Sequence, residues 1–334
     1  MNSYERISLA LKGQKPDRVP AASFMTGVTV ESMNICGHGW PEAHNDAEKM
    51  AELAAAAHLH CGIETVKLPF DMAVEAEALG GDIDFGTADT LPQVRTHLFD
   101  EPEELRFSRD LLNRGRMPLV LKAIGVAKER YGPGAFIVSS VVGPFTLGGK
   151  LFGFDNFFEW LLLEPDKMRE AMARLTELCV IYAEAQAGAG ADAVQIGEAS
   201  SSGDLISSDS YRDFIAPYHK DLCSAIKIPT VVHICGNIAG HLPYIKTTGV
   251  SGLSFDEKTG AANVREALGG AVAMIGYVDT LGVLLNSTPE LVYKKSRECM
   301  EAGVDILNAG CAWPANVKNK NIEAMVRAAR GEPL

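Results

Sequence analysis

The chain has 334 residues, 47% hydrophobic and 22% charged, with 31 Lys and Arg against 43 Asp and Glu for a net charge of −12. That balance excludes a general nucleic-acid binder, which needs a basic footprint, and a disordered chain, which lacks this much apolar content. It also weighs against decarboxylation of a polyanionic substrate, unless arginines cluster locally.

No run reaches the roughly 18 to 20 apolar residues of a spanning helix, so no membrane partner is expected. Met1–Arg6 has no basic flank followed by an apolar run and is not read as a secretory signal. Seven cysteines, an odd number, are scattered along the chain. A disulfide framework is therefore not expected, and a reducing, cytoplasmic setting is.

Short β-branched runs alternate with longer segments of helical period. Eight such runs occur: Val19–Phe24, Glu64–Leu68, Phe136–Val142, Asp192–Gly197, Pro229–Cys235, Ser251–Phe255, Ala271–Tyr277 and Val304–Ala309. Most are continuously apolar, as in parallel strands covered on the outside. Between them, Asp46 caps a helix running to about His60, and Glu164-Pro165-Asp166 opens a long one ending at Gly188-Ala189-Gly190. Ser207 and Ser208 start another that ends near Ile226, and Thr288-Pro289-Glu290 opens the helix before Gly303. The long connection from Pro69 to Pro133 is expected to hold a small hairpin, Asp82–Phe85 with Gln93–Phe99, and one or two extra helices. Eight βα units predict an α/β fold, a (β/α)8 TIM barrel spanning residues 1–334 as one domain.

In such a barrel the active site lies at the C-terminal ends of the strands. The fifth run carries His233-Ile234-Cys235-Gly236. Side chains alternate faces along a strand, so His233 and Cys235 project the same way. Cys311, after the last run, can reach the same mouth. One imidazole and two thiolates suit zinc, and three protein ligands leave a fourth position for exchange. Glu257, one strand beyond the pair, is a candidate for that position. Glu198 and Asp279, each after a strand, are candidate catalytic carboxylates, with a partner role or capping of the following helix as the alternatives. Cys61, Cys179, Cys223 and Cys299 are read as packing residues; His58, His60, His219 and His241 are read as structural or surface residues. Zinc with two sulfur ligands activates water weakly but deprotonates a bound substrate thiol at neutral pH. That points to alkyl transfer onto sulfur.

These residues resemble the uroporphyrinogen decarboxylase superfamily over the full length, and within it the corrinoid-dependent zinc methyltransferases, the methylcobamide:coenzyme M methyltransferases. The resemblance rests on Leu11-Lys12-Gly13…Pro16-Asp17-Arg18-Val19-Pro20, Trp40-Pro41-Glu42-Ala43-His44, Pro69-Phe70-Asp71, Gly197-Glu198-Ala199, Pro217-Tyr218-His219, His233-Ile234-Cys235-Gly236-Asn237, Glu257-Lys258 and Asn308-Ala309-Gly310-Cys311. It implies His233, Cys235 and Cys311 as Zn2+ ligands and Glu257 in the fourth position. It implies a methylcorrinoid as co-substrate, carried by a separate protein, and a small thiol acceptor, with coenzyme M favoured. A homodimer is compatible with the sequence, which does not itself specify an oligomeric state.

Three other readings stand beside this one. The same zinc site could load a methyl group from a methoxylated or methylthio donor onto Co(I) corrinoid. The thiols could be mere packing in a non-enzymatic module. The decarboxylase branch fits less well, because it uses arginines near the N-terminus and the segment from Ala21 to Gly27 has none. No Arg stands at a strand end to hold a sulfonate. The backbone amides near Gly236-Asn237 or Ser200–Gly203 are the expected substitute.

Overall fold

A computed structural model describes all 334 residues. Seven strands form one parallel, curled sheet: β1 (Thr65–Lys67), β4 (Phe136–Val142), β5 (Ala193–Gly197), β6 (Thr230–His233), β7 (Gly252–Ser254), β8 (Ala273–Val278) and β9 (Ile306–Ala309), neighbours in that order. The remaining two, β2 (Ile83–Asp84) and β3 (Gln93–Val94), make the antiparallel hairpin expected in the long connection.

The first expected strand, Val19–Phe24, is a correction. It forms a single bridge, Ala21 with Leu307, rather than a ladder. It still closes the ring. The Ala22 N–H donates to Leu307 O (2.9 Å), the Leu307 N–H to Pro20 O (2.9 Å) and the Glu64 N–H to Ala21 O (2.8 Å). Pro20 has no N–H to offer. The next two donors turn to side chains, Ser23 N–H to Thr65 Oγ1 (2.8 Å) and Phe24 N–H to Asn308 Oδ1 (3.1 Å). The segment is thus an eighth stave whose pairing is half side chain.

Helices cover the outside, and most follow the sequence signals. Asp46 accepts from the Glu48 and Lys49 amides and starts Ala47–Ala56, which widens into a π-turn over Ala57–Cys61. Pro165–Gly188 and Pro289–Glu301 open at their prolines. The helix expected from Ser208 to Ile226 is two, Ser208–Phe214 and Ala216–Ala225, broken at Ile215. Pro217 cannot donate to the preceding turn, so it starts a new helix instead.

Register places each strand's inward side chains. His233 of β6 is level with Gly197 of β5 and Ser254 of β7, and Gln195 with Val231 and Ser140. The lower interior is apolar. Ala22, Phe24, Phe136, Val138, Ala193, Val231, Ala273, Ile275 and Ile306 pack with Ile7, Ala10 and Leu11 of the helix Ser3–Leu11, which plugs the N-terminal end. An ionic clasp seats that plug. Arg6 pairs with Asp17 (2.7 Å) and with Glu64, and Arg18 reaches Glu64 Oε1 at 2.7 Å. The two arginines near the N-terminus are therefore committed at the closed end of the barrel. No helix is long and apolar enough to cross a membrane.

Candidate metal centre

At the opposite end, the inward positions turn polar. His233 ends β6 and is 1% exposed. Its Nδ1 lies 3.0 Å from Ser254 Oγ, the hydroxyl of its register partner on β7. When Nδ1–H donates there, the Nε2 lone pair is free to ligate. Nε2 faces Cys235 Sγ at 3.0 Å, and Cys235 Sγ lies 3.5 Å from Cys311 Sγ. All three donor atoms lie within 4.8 Å of one another. A tetrahedral zinc, with bonds of about 2.0 to 2.3 Å, holds such donors roughly 3.5 to 3.8 Å apart. The donor set suits that ion, with the two sulfurs at the required separation and His233 Nε2 about half an ångström too close to Cys235 Sγ.

Cys235 lies two residues beyond β6, so the loop must aim it. Gly236 takes φ +79°, and a Cβ there would meet Ser202 Oγ at 2.2 Å, so only glycine fits. The Gly236 N–H donates to Asp256 Oδ2 (2.6 Å), and Thr259 Oγ1 donates to Gly236 O (3.1 Å). The loop after β6 is thereby fastened to the loop after β7. The Cys311 N–H donates to Thr280 Oγ1 (3.0 Å) after β8, which places the second sulfur.

The two thiols share a proton unequally. The Cys235 hydrogen bond, with help from His233, holds Cys311 well below the usual thiol range, against the effect of burial. Cys235 moves the other way, raised by Cys311 and by burial. Elsewhere burial alone dominates. It pushes Cys61 up to about 12, and Cys223 and Cys299 to about 11. Those three and Cys179 are inert packing thiols by environment.

The expected carboxylates are placed differently. Glu257 is exposed and does not join the three-residue group. Its carboxylate lies beside Gly310 at the rim. Glu198 is fully buried, not open to the mouth. Its oxygens accept from the Phe145 (3.3 Å) and Thr146 (2.6 Å) amides and from His219 Nε2 (2.9 Å). It caps the helix Pro144–Phe152 after β4, not the helix that follows it in sequence. Asp279 accepts from the Leu281 and Gly282 amides and caps the turn Thr280–Leu285. Both occupy the capping role.

Several motif segments prove to be partners of one another. His219 joins Glu198 and, through Nδ1, the Tyr211 hydroxyl at 3.1 Å. His44 Nδ1 approaches Asp71 Oδ2 at 3.4 Å, while Trp40 packs on Phe70 with ring centroids 5.8 Å apart. Arg116 grips Asp71 through two bonds of 2.8 and 3.1 Å. Burial alone would raise the Asp71 pKa, but His44 and Arg116 outweigh it and hold the carboxylate ionised.

Sequence reasoning missed three side chains at this mouth: Ser254, Gln195 and Lys67. Strand parity was the available signal. Ser254 and Gln195 are register-linked to His233 and Val231, and Lys67 to inward-facing Val138. Lys67 is a cation at a strand end, which a reading confined to arginines passed over.

Residues 2–331 match the uroporphyrinogen decarboxylase (URO-D) family. The chain is 35% identical over 334 residues to the methylated-thiol–coenzyme M methyltransferase of Methanosarcina mazei, covering 100% of this chain and 90% of that one. It is 36% identical over 334 residues to the methylcobamide:CoM methyltransferase of Methanosarcina acetivorans, covering 98% and 97%. Among solved structures it is similar to a methyltransferase from Methanosarcina mazei, with a TM-score of 0.96, 35% identity and 99% of each chain covered.

Proposed function

The chain belongs to the uroporphyrinogen decarboxylase family, and from that premise we propose that it is a zinc-dependent methyltransferase moving a methyl group from a methylated corrinoid to a thiol, with coenzyme M as acceptor. The observation that carries this reading is the convergence of His233, Cys235 and Cys311 in a chain this similar to two coenzyme M methyltransferases.

These three side chains would hold the ion, with Ser254 orienting His233, Asp256 fixing the Gly236 amide that follows Cys235, and Thr280 fixing the Cys311 amide. Zinc held there would lower the pKa of an acceptor thiol and so supply its sulfur as a thiolate. Overall, the acceptor S–H would lose its proton to solvent and a new C–S bond would form. The Co–C bond breaks with its electron pair left on cobalt, taking Co(III) to Co(I). The barrel mouth supplies the position: the cluster sits at the rim, where a methyl-corrinoid on a separate carrier protein can approach.

The decarboxylase reading is weaker. Arg6 and Arg18 lie at the closed end and are paired with Asp17 and Glu64. The donor-side reading has one specific support, the similarity to an enzyme whose name includes methylated thiols as substrates. In it, the same mouth would accept a methylthio compound and methylate Co(I).

Anaerobic mixing of the zinc-loaded protein with methylcobalamin and coenzyme M tests the proposal. Cob(I)alamin should form, dependent on thiol and on Cys235. Zinc-loaded protein that forms none would refute transfer to coenzyme M.

A further inference from the structure

Cys235 and Cys311 are the one pair of thiols in contact, with their Sγ atoms 3.5 Å apart. All seven cysteines are free. Cys61, Cys179 and Cys299 are buried, and the half-buried Cys36 and Cys223 each stand without a second sulfur beside them. Cys235 and Cys311 are both half-buried, so a small oxidant reaches them from the mouth.

A disulfide needs about 2.05 Å between its sulfurs, so this pair must close by about 1.5 Å. Neither cysteine belongs to a strand or helix; each follows its strand, β6 or β9, by two residues. The bonds that hold the two loops are made by backbone amides, Gly236 N–H to Asp256 Oδ2 and Cys311 N–H to Thr280 Oγ1. They fix the main chain and leave the two thiol side chains free to turn. The closure required lies within the arc that a cysteine sulfur sweeps about its Cα–Cβ bond. A second sulfur this near also captures a sulfenic acid before further oxygen adds to it.

We propose that Cys235 and Cys311 form a reversible disulfide on meeting a hydroperoxide, and that closing it ejects the metal ion the pair would hold with His233; the ejection rests on the ligand assignment above. One thiol attacks an oxygen of the peroxide, the O–O bond breaks, and a sulfenic acid forms as water leaves. The second thiol attacks that sulfur, the S–S bond forms, and a second water leaves. The two sulfurs together give up two electrons, the peroxide takes them, and both thiol protons end in water. Disulfide sulfurs carry no thiolate charge, so two of the three donors are lost and His233 remains alone. A dithiol reverses the step by exchange. The site would thus shut under the same oxidants that destroy a Co(I) corrinoid.

One equivalent of hydrogen peroxide, added to the zinc-loaded protein, tests the switch without any methyl donor. Free thiols should fall from seven to five, with one zinc released to a chelating dye per disulfide. Peptide mapping after thiol blocking should give a Cys235–Cys311 cross-link. Dithiothreitol followed by zinc should restore thiols and metal together. Zinc lost with either cysteine as a sulfinic or sulfonic acid and no cross-link overturns the proposal. So does a cross-link through another cysteine, a cross-linked protein that keeps its zinc, or peroxide that consumes Cys36 while the pair stays reduced. The methylcobalamin assay on untreated protein separates the two claims. Active protein whose pair does not close overturns the switch alone. Inactive protein whose pair closes and releases zinc overturns the methyl-transfer reading and leaves the switch.

Discussion

At the closed end of the barrel, Phe24, Phe136, Val231, Ile275 and Ile306 meet the plug residues Ile7 and Leu11, and the buried polar groups beside them, Arg6, Glu64 and Thr65, are bonded to one another or to the backbone. Toward the C-terminal ends of the strands, the inward positions are Lys67, Ser140, Gln195, His233, Ser254 and Asn308, all at most 8% exposed. The two regions share strands, register and burial. They differ in whether buried groups are satisfied. The closed end gains from removing apolar area from water, and its ionic clasp is complete. The mouth carries a buried cation, Lys67, that shares its cavity with Asp71 and Glu75 while hydrogen-bonding only Pro69 O and Thr26 Oγ1, and an amide donor without an acceptor. Stability is concentrated at one end, and unmet bonding capacity at the other.

Substitutions should divide along that line. Cys235→Ala, at the mouth, should lose zinc and methyl transfer to background while the chain stays folded, as read by metal analysis, cob(I)alamin formation and circular dichroism. A folded variant keeping full zinc and full activity would break the ligand assignment. Ile275→Ala, at the closed end, should cost about 2 to 5 kcal/mol in urea denaturation, with zinc content unchanged in the folded protein. Equal loss of zinc and stability would erase the contrast.

The pH dependence sharpens the comparison at Lys67. Burial pushes its pKa down from 10.5 to about 8. Between those values the unfolded chain binds the proton and the folded one does not, so stability rises with pH there. The penalty is fully present below about pH 8 and relieved as pH climbs toward 10.5. The wild type should therefore gain on Lys67→Met between pH 8 and pH 10 in denaturant midpoints. Parallel curves would mean the lysine is not desolvated.

Ser254→Ala should show the smallest structural effect. Zinc affinity should fall about 10- to 100-fold through the lost bond to His233, with the urea midpoint nearly unmoved. Unchanged zinc affinity would deny Ser254 its orienting role.

The barrel was legible because its strands are short apolar runs and its helices open at marked residues, Asp46, Pro165 and Pro289. The His-x-Cys pair was legible because strand parity needs only spacing of two. Glu198 was not, because capping a helix outside its own βα unit depends on where Gly143 and Thr146 arrive in space. Glu257 lies outside the three-donor group for a similar reason: chain position puts it near the rim, but the loop's path decides where the carboxylate points. Lys67 sits in the mixed run Glu64-Thr65-Val66-Lys67-Leu68, and its burial follows only from register with Val138.

Local pattern determined the alternation of elements, the polarity of each strand end and the chemical types at the mouth. Those depend on residues a few positions apart. Closure of the barrel through Ala21, the meeting of Cys235 with Cys311 across 76 residues, and the cavity shared by Lys67 and Gln195 were decided by tertiary structure. Such contacts depend on how the strands twist, tilt and register around a ring. That geometry is set by the packing of the whole interior, which no single segment encodes.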